Sequence, residues 1–286
     1  MTTHAPPVNP PVPQAGFNPL VIRVASGVVL AVALLGPLLL GLYGLYAVVA
    51  VVGGAALWEF KGLSARMGYR APVWLLYPLG ACFMFSGTLL KRLPLEAVLS
   101  VALIVGLSAF LFLPTRRGGL GRWAMGMAGA LYLGLPLNYY MVLYSQASWP
   151  RNLEWVLLII ATVVVSDSAA YLVGRAVGRH PFFKEISPHK TVEGAVGGLF
   201  LAVPVMAVGG VLLLGLHPLH GAVLGLLVGT VAVLGDLVES QMKRLARVKD
   251  SSHLIPGHGG LLDRLDSLLF PPIVVVLYTS LFAIHL

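Results

Sequence analysis

Nine apolar runs divide this chain, at about residues 21–41, 42–60, 71–90, 94–113, 121–145, 152–178, 194–215, 219–243 and 262–284. Each is long enough to cross a hydrocarbon core of roughly 30 Å. Lipid offers no partners to backbone N–H and C=O groups, so runs of this length fold as helices. The expected fold class is all-α: a polytopic membrane protein with about nine transmembrane helices. Composition agrees, since 58% of residues are hydrophobic and only 10% are charged, far from the balance of a soluble domain. Only Gly41-Leu42-Tyr43-Gly44 separates the first two runs, so their shared boundary is the least defined.

The few charges set the orientation. An N-terminus placed in the cytoplasm puts Lys61, Arg66, Arg70, Arg116, Arg117, Arg122, Arg175, Arg179, Lys184, Lys190 and the basic set from Lys243 to Arg264 on that side. Only Lys91, Arg92 and Arg151 then face out. Such a bias is the signature of cytoplasmic loops, and it accounts for the net charge of +8 without a nucleic-acid partner. Residues 1–19 are rich in Pro, carry no Lys or Arg and read as a disordered cytoplasmic tail. Residues 20–150 read as N-terminal transmembrane helices serving as scaffold, lipid contact or the surface of a homodimer. Residues 151–286 read as the catalytic transmembrane helices, because both long polar connections, 179–193 and 244–261, lie there. The single cysteine, Cys82, excludes a disulfide framework and a thiolate metal site.

Residues 236–267 hold ten of the thirty charged side chains. An Asp at mid-bilayer costs about 2.5–3.5 kcal/mol on insertion scales, so buried ionisable groups point to function. Asp236, Glu239, Ser240, Lys243, Arg244 and Arg247 recur at spacings of three and four, forming one helical stripe. A snorkelling helix end explains the basic part of that stripe, but Asp236 lies nearly two turns deeper. Beyond it come Lys249-Asp250, His258-Gly259-Gly260, and Asp263, Arg264 and Asp266 at the start of the last run. A Gly-Gly pair before a helix permits close backbone approach, and free amides at a helix start favour phosphate. Asp263, Asp266 and Asp236 offer oxygen ligands of the kind that Mg²⁺ takes, together with substrate phosphates.

The sixth run repeats this logic. Asp167, Tyr171 and Arg175 are spaced by four, so an acid, a phenol and a cation share one face. The loop that follows presents His189, Lys190, Thr191 and Glu193 before a Gly-rich helix start. His189 and His258 read as hydrogen-bonding or phosphate-contacting groups, since no second ligand stands at zinc-motif spacing.

Ser240, Lys243-Arg244, Lys249-Asp250, His258-Gly259-Gly260 and Asp263-Arg264-Leu265-Asp266 together resemble the signature of the phosphatidate cytidylyltransferase (CDP-diacylglycerol synthase) family. The upstream Asp167-Ser168-Ala169-Ala170-Tyr171, Gly174-Arg175 and the 187–194 segment resemble it too, so the likeness covers roughly residues 160–270. The resemblance implies an integral cell-membrane enzyme, with its site on the cytoplasmic face, that converts CTP and phosphatidate to CDP-diacylglycerol and pyrophosphate. It implies Mg²⁺, one ion or two. Asp263 and Asp236 would be the leading metal ligands, with Asp266 and Asp167 next, and Lys249 and Arg264 would join the first two as catalytic groups. Lys190, Lys243, Arg244, Lys249, Arg264 and Arg175 would hold the triphosphate and the lipid phosphate. His258, Gly259 and Gly260 would cradle phosphate through their amides, with Ser240 and Glu239 orienting the ligands.

A CTP-dependent polyprenol or dolichol kinase is the nearest rival, differing in which phosphorus is attacked. A secondary transporter also places charges inside spans, but here the acids gather towards one membrane face. The Asp-Gly-x-x-Ala-Arg run of the CDP-alcohol phosphatidyltransferases is absent.

Overall fold

A computed structural model describes residues 19–89, 95–111, 119–256 and 258–284. The Pro-rich tail up to residue 18, Lys91, Arg92, Arg116, Arg117 and Gly257 lie outside the described residues. Within them the regular elements are helices, accompanied by two isolated bridges, Pro181 with Thr191 and Ile255 with Gly259. The all-α class read from the apolar runs is what the chain adopts.

The helices are α1 (Pro19–Leu35), α2 (Leu42–Arg66), α3 (Val73–Leu89), α4 (Leu95–Phe110), α5 (Gly119–Gln146), α6 (Arg151–Val177), α7 (Val192–Leu214), α8 (Pro218–Leu245), α9 (Leu262–Leu265) and α10 (Pro271–Leu281). A 3₁₀ turn, Gly36–Leu40, links α1 to α2 and ends at Gly41, whose φ of 69° breaks the helix where the first two runs meet. Among the described residues, five stretches are long and apolar enough to cross a membrane: Leu42–Arg66, Arg151–Val177, Val192–Leu214, Pro218–Leu245 and Leu262–Leu281. Val24–Leu40, Val73–Thr88 and Glu96–Ser108 are apolar but shorter. The protein is an integral membrane protein built on these helices.

The last run differs from the single helix that its hydropathy suggests. It is broken into α9, a 3₁₀ turn at Asp266–Leu268, and α10. Pro271 and Pro272 open α10, and neither carries an N–H to continue an earlier helix. The Asp266 carboxylate also accepts the Ser267 N–H at 2.7 Å, a local bond that competes with helix. Two carboxylates are thus presented on a short irregular segment, which is tolerated at membrane depth only where it is buried in protein or lines a cavity.

The core centres on α5, which packs against α2, α3, α6 and α10. Phe60, Leu63, Phe83, Leu133, Met141, Trp155 and Ile159 are buried there. Buried Asn138 of α5 accepts the Gly87 N–H of α3 at 2.7 Å, fixing those two helices against each other. The α6–α7 and α7–α8 pairs pack through small residues, with Gly194 set against the Ala170 carbonyl. The outer faces of α1, α4 and α7 expose Val28, Val29, Val32, Ile104, Phe200 and Leu212, an apolar surface suited to lipid.

Candidate active site

A cleft of about 790 Å³ opens where α6 ends, α7 begins, α8 ends and the 3₁₀ turn after α9 passes beneath. Asp167, Tyr171 and Arg175 of α6 all line it, as their spacing of four predicts. His189, Lys190 and Thr191 line it from the loop before α7, and Asp236 from α8. Asp263, Arg264, Asp266 and Ser267 complete the polar end, while Val163, Val164, Val233 and Leu268 give the other wall an apolar lining. The segments around 167–194 and 236–267 therefore build one site.

Its charges are held by named partners. Lys190 pairs with Asp236 Oδ2, and Ser240 Oγ donates to Asp236 Oδ1 at 3.2 Å. Ser267 Oγ donates to Asp167 Oδ2 at 2.9 Å. Asp236 and Asp266 come together because Gly235 lets the turn touch α8. A Cβ at Gly235 would stand 2.2 Å from the Asp266 carbonyl oxygen.

A second, more polar cleft of about 580 Å³ lies beside the first. Lys249, Asp250, His253, His258, Gly259 and Arg264 line it, so Lys249 and His258 stand apart from the Asp167–Asp236 cleft. Arg264 lines both. Its guanidinium donates to the His258 carbonyl from Nη2 at 2.8 Å and from Nε at 3.2 Å, fixing the wall between the two. The His258 ring shares a 2.9 Å hydrogen bond with Ser26 of α1 through Nδ1.

Several residues stand elsewhere than their sequence spacing suggests. The Gly260, Leu261 and Leu262 amides meet carboxylates of the protein itself, not an open phosphate cradle. Gly260 N donates to Asp263 Oδ2 at 2.8 Å, while Leu261 N and Leu262 N donate to Glu59 Oε1 and Oε2 at 2.8 and 2.6 Å. The His258 amide donates to the Ile255 carbonyl at 3.0 Å. Gly260 is required by crowding, since a Cβ there would lie 1.9 Å from Ser251 Oγ and 2.8 Å from Glu59 Oε1.

Asp263 works as a latch. Its Oδ2 accepts Ser251 N, Ser251 Oγ and Gly260 N at 2.9, 2.8 and 2.8 Å, and its Oδ1 accepts Lys243 Nζ at 2.7 Å. Lys243, largely buried, is clamped between Asp263 and fully buried Glu239 and is not displayed towards either cleft. The α8 stripe therefore divides, with Asp236 lining the larger cleft and Ser240 bonded to it, and Glu239 and Lys243 turned inward. Arg244 is exposed and donates to the Ile186 carbonyl at 2.9 Å, bracing the loop before α7. Arg247 lies past the α8 cap at Ala246, with φ 55°. Glu193 faces away and is held by His180 and the Arg179 and His180 amides, whereas Thr191 caps α7 by accepting Gly194 N at 3.1 Å.

Sequence reasoning missed Glu59, Ser251 and Ser267. Glu59 carried a usable signal, being a lone carboxylate inside an apolar run, the same anomaly that singles out Asp236.

Metal fit follows from the donors. Asp167, Asp236 and Asp266 offer oxygen only, which suits a hard cation. Among the described residues no three His, Cys, Asp or Glu groups are gathered closely enough to hold an ion alone. Mg²⁺ commonly takes one or two carboxylates and completes its shell with substrate phosphates and water.

Known sequences resemble this chain over most of its length. The pattern of the Cytidylyltransferase family matches residues 21–282. The chain is similar to a phosphatidate cytidylyltransferase of Mycobacterium bovis, 33% identical over 208 residues, covering 71% of this chain and 66% of that protein. One from Synechocystis is 41% identical over 172 residues, 54% of each chain. One from Brucella suis is 32% identical over 265 residues, 91% of this chain and 93% of its own length. The match spans just under two thirds of the Mycobacterium bovis protein, and 61% of a Mycobacterium tuberculosis one. Most of this sequence, site included, falls inside one family pattern: the chain belongs to the cytidylyltransferase family.

Proposed function

We propose that the chain transfers a cytidylyl group from CTP to phosphatidate, giving CDP-diacylglycerol and pyrophosphate. The observation that supports this most is the larger cleft, with carboxylates and cations at one end and an apolar wall along α6 and α8. That division suits a ligand with a phosphate head and acyl chains. The adjoining polar cleft, with Lys249, His253, His258 and Arg264, suits a triphosphate.

In the reaction a phosphatidate oxygen attacks the α-phosphorus of CTP. The bond from that phosphorus to the oxygen bridging it to the β-phosphorus breaks, and pyrophosphate leaves with the electron pair. The attacking oxygen is already anionic near neutral pH, so the protein's task is to position two polyanions and offset their charge. Asp236, with Asp266 or Asp167 beside it, would hold Mg²⁺, which when bound neutralises phosphate oxygens as charge develops. Lys190 and Arg175 would receive the lipid phosphate. Arg264, on the wall between the clefts, would meet the phosphates of both substrates, and Lys249 would hold the triphosphate. Lys243, Glu239 and Asp263 act through the loop they organise.

Two experiments bear on this reading. In detergent, where no sealed compartment exists, the protein should consume CTP with release of one pyrophosphate per CTP. Release of CDP instead would make it a kinase, and turnover detectable only in sealed vesicles would make it a transporter. Gly235→Ala should lower turnover by about 100-fold, as expected when a reacting group moves by about 1 Å, with helix content by circular dichroism unchanged. Unaltered kinetics would show that the Asp266 turn is not set by its contact with α8.

The reading also places the site on the cytoplasmic face of a protein with about nine spans and its N-terminus inside. In a Cys82→Ala background, a cysteine replacing exposed Arg247 should react with an impermeant thiol reagent only after cells are opened. Labelling in intact cells would invert the orientation.

A further inference from the structure

Glu59 stands out from the rest of the N-terminal half. It lies on α2, about 200 residues from the signature segment, with only 1% of its surface exposed. Burying a carboxylate this completely is costly unless its oxygens are fully partnered. Here they are. Oε1 accepts Ser252 Oγ at 2.6 Å and Leu261 N at 2.8 Å, and Oε2 accepts Leu262 N at 2.6 Å. Ser251 Oγ stands between Glu59 Oε2, at 3.1 Å, and Asp263 Oδ2, at 2.8 Å, so the two carboxylates share that hydroxyl.

These donors come from both ends of one loop. Ser251 and Ser252 directly follow Lys249-Asp250, and Leu261 and Leu262 directly precede Asp263-Arg264. Lys249, Asp250 and Arg264 line the polar cleft. Glu59 therefore ties the two ends of the segment that frames this cleft, reaching in from another helix without lining the cleft itself. Asp263, which fastens the same loop from inside, shares the task.

We infer that Glu59 is a positioning residue for the nucleotide side of the site, tying Ser251-Ser252 to Leu261-Leu262 so that Lys249 and Arg264 face one triphosphate. The inference rests on the cytidylyltransferase reading for its kinetic consequence but not for its structural one. Glutamine at this position keeps the shape and turns an N–H₂ towards amide and hydroxyl donors, leaving buried donors unpaired.

The test uses the full-length protein in detergent, with two readouts. By hydrogen–deuterium exchange, Glu59→Gln should lose protection at residues 251–262 while α6, α7 and α8 keep theirs. By kinetics, its CTP KM should rise about tenfold, the size expected from losing a charge-assisted hydrogen bond, with a smaller rise in the phosphatidate KM because Arg264 lines both clefts, and Glu59→Asp should recover part of the loss. A merely structural role would lower the folded fraction and leave both KM values alone, which overturns the inference, as would wild-type protection of the loop in Glu59→Gln. Should Glu59→Gln fail to fold, Ser252→Ala removes one contact only, and it should show the same local loss in smaller degree; no change there also overturns the inference. If wild-type protein does not join CTP to phosphatidate, the proposed function fails, while the exchange result still decides whether Glu59 holds the loop.

Discussion

Asp236→Asn should lower turnover by on the order of 10²–10³-fold while leaving the protein folded. Asparagine keeps the oxygen that accepts Ser240 Oγ but removes the charge that holds Lys190. It also removes one negative charge from the carboxylates that line the larger cleft. Asp236 and Lys190 are both partly open to solvent, so their pair contributes little to stability, within about 1 kcal/mol. Initial rates across a Mg²⁺ titration, beside a thermal melt in detergent, check this. The melt should not move, and the Mg²⁺ requirement should rise. A variant with the wild-type Mg²⁺ dependence would remove Asp236 from the metal site.

Asp263→Asn should fail differently, losing activity and stability together. The Asp263 carboxylate closes the loop by accepting three donors on one oxygen and the largely buried Lys243 on the other. An amide in its place can serve the three donors only by turning its N–H₂ group towards Lys243. Breaking one side of a buried ion cluster costs about 3 kcal/mol or more. The expected result is a clear fall in melting temperature and a loss of turnover on the order of 10²-fold, together with faster exchange at residues 251–262. If turnover vanished while the melt and exchange stayed wild-type, Asp263 would be a metal ligand, as its place in the signature implies, and not a latch. Comparing the two variants separates metal binding from loop closure, which sequence spacing merges.

The apolar runs made the helical architecture legible, because hydrocarbon admits so few backbone conformations. The two halves of the larger cleft were legible as well, since Asp167, Tyr171 and Arg175 lie on one helix, where period alone fixes the shared face, and Asp236 lies deep in another. What could not be read was which partner each charge takes. Lys243 and Asp236 belong to the same stripe, yet Lys243 turns inward because α9 brings Asp263 against it. The Gly259-Gly260 pair suggested a phosphate cradle on sound local grounds. Glu59 is just over 200 residues away in the chain, and no local pattern reveals that it takes the Leu261 and Leu262 amides. The break in the last run was written in Pro271-Pro272, but apolar neighbours on both sides disguised it as a continuous span.

The destination of the cytidylyl phosphorus decides which reaction the protein performs. Purified protein in detergent, given phosphatidate, Mg²⁺ and CTP labelled at the α-phosphorus, should move label into the organic phase as CDP-diacylglycerol, with equimolar pyrophosphate in the aqueous phase. Without Mg²⁺, or with Asp236→Asn, the organic phase should stay nearly unlabelled. Label remaining in water as CDP, while phosphate from the γ-position enters the lipid, would contradict cytidylyl transfer.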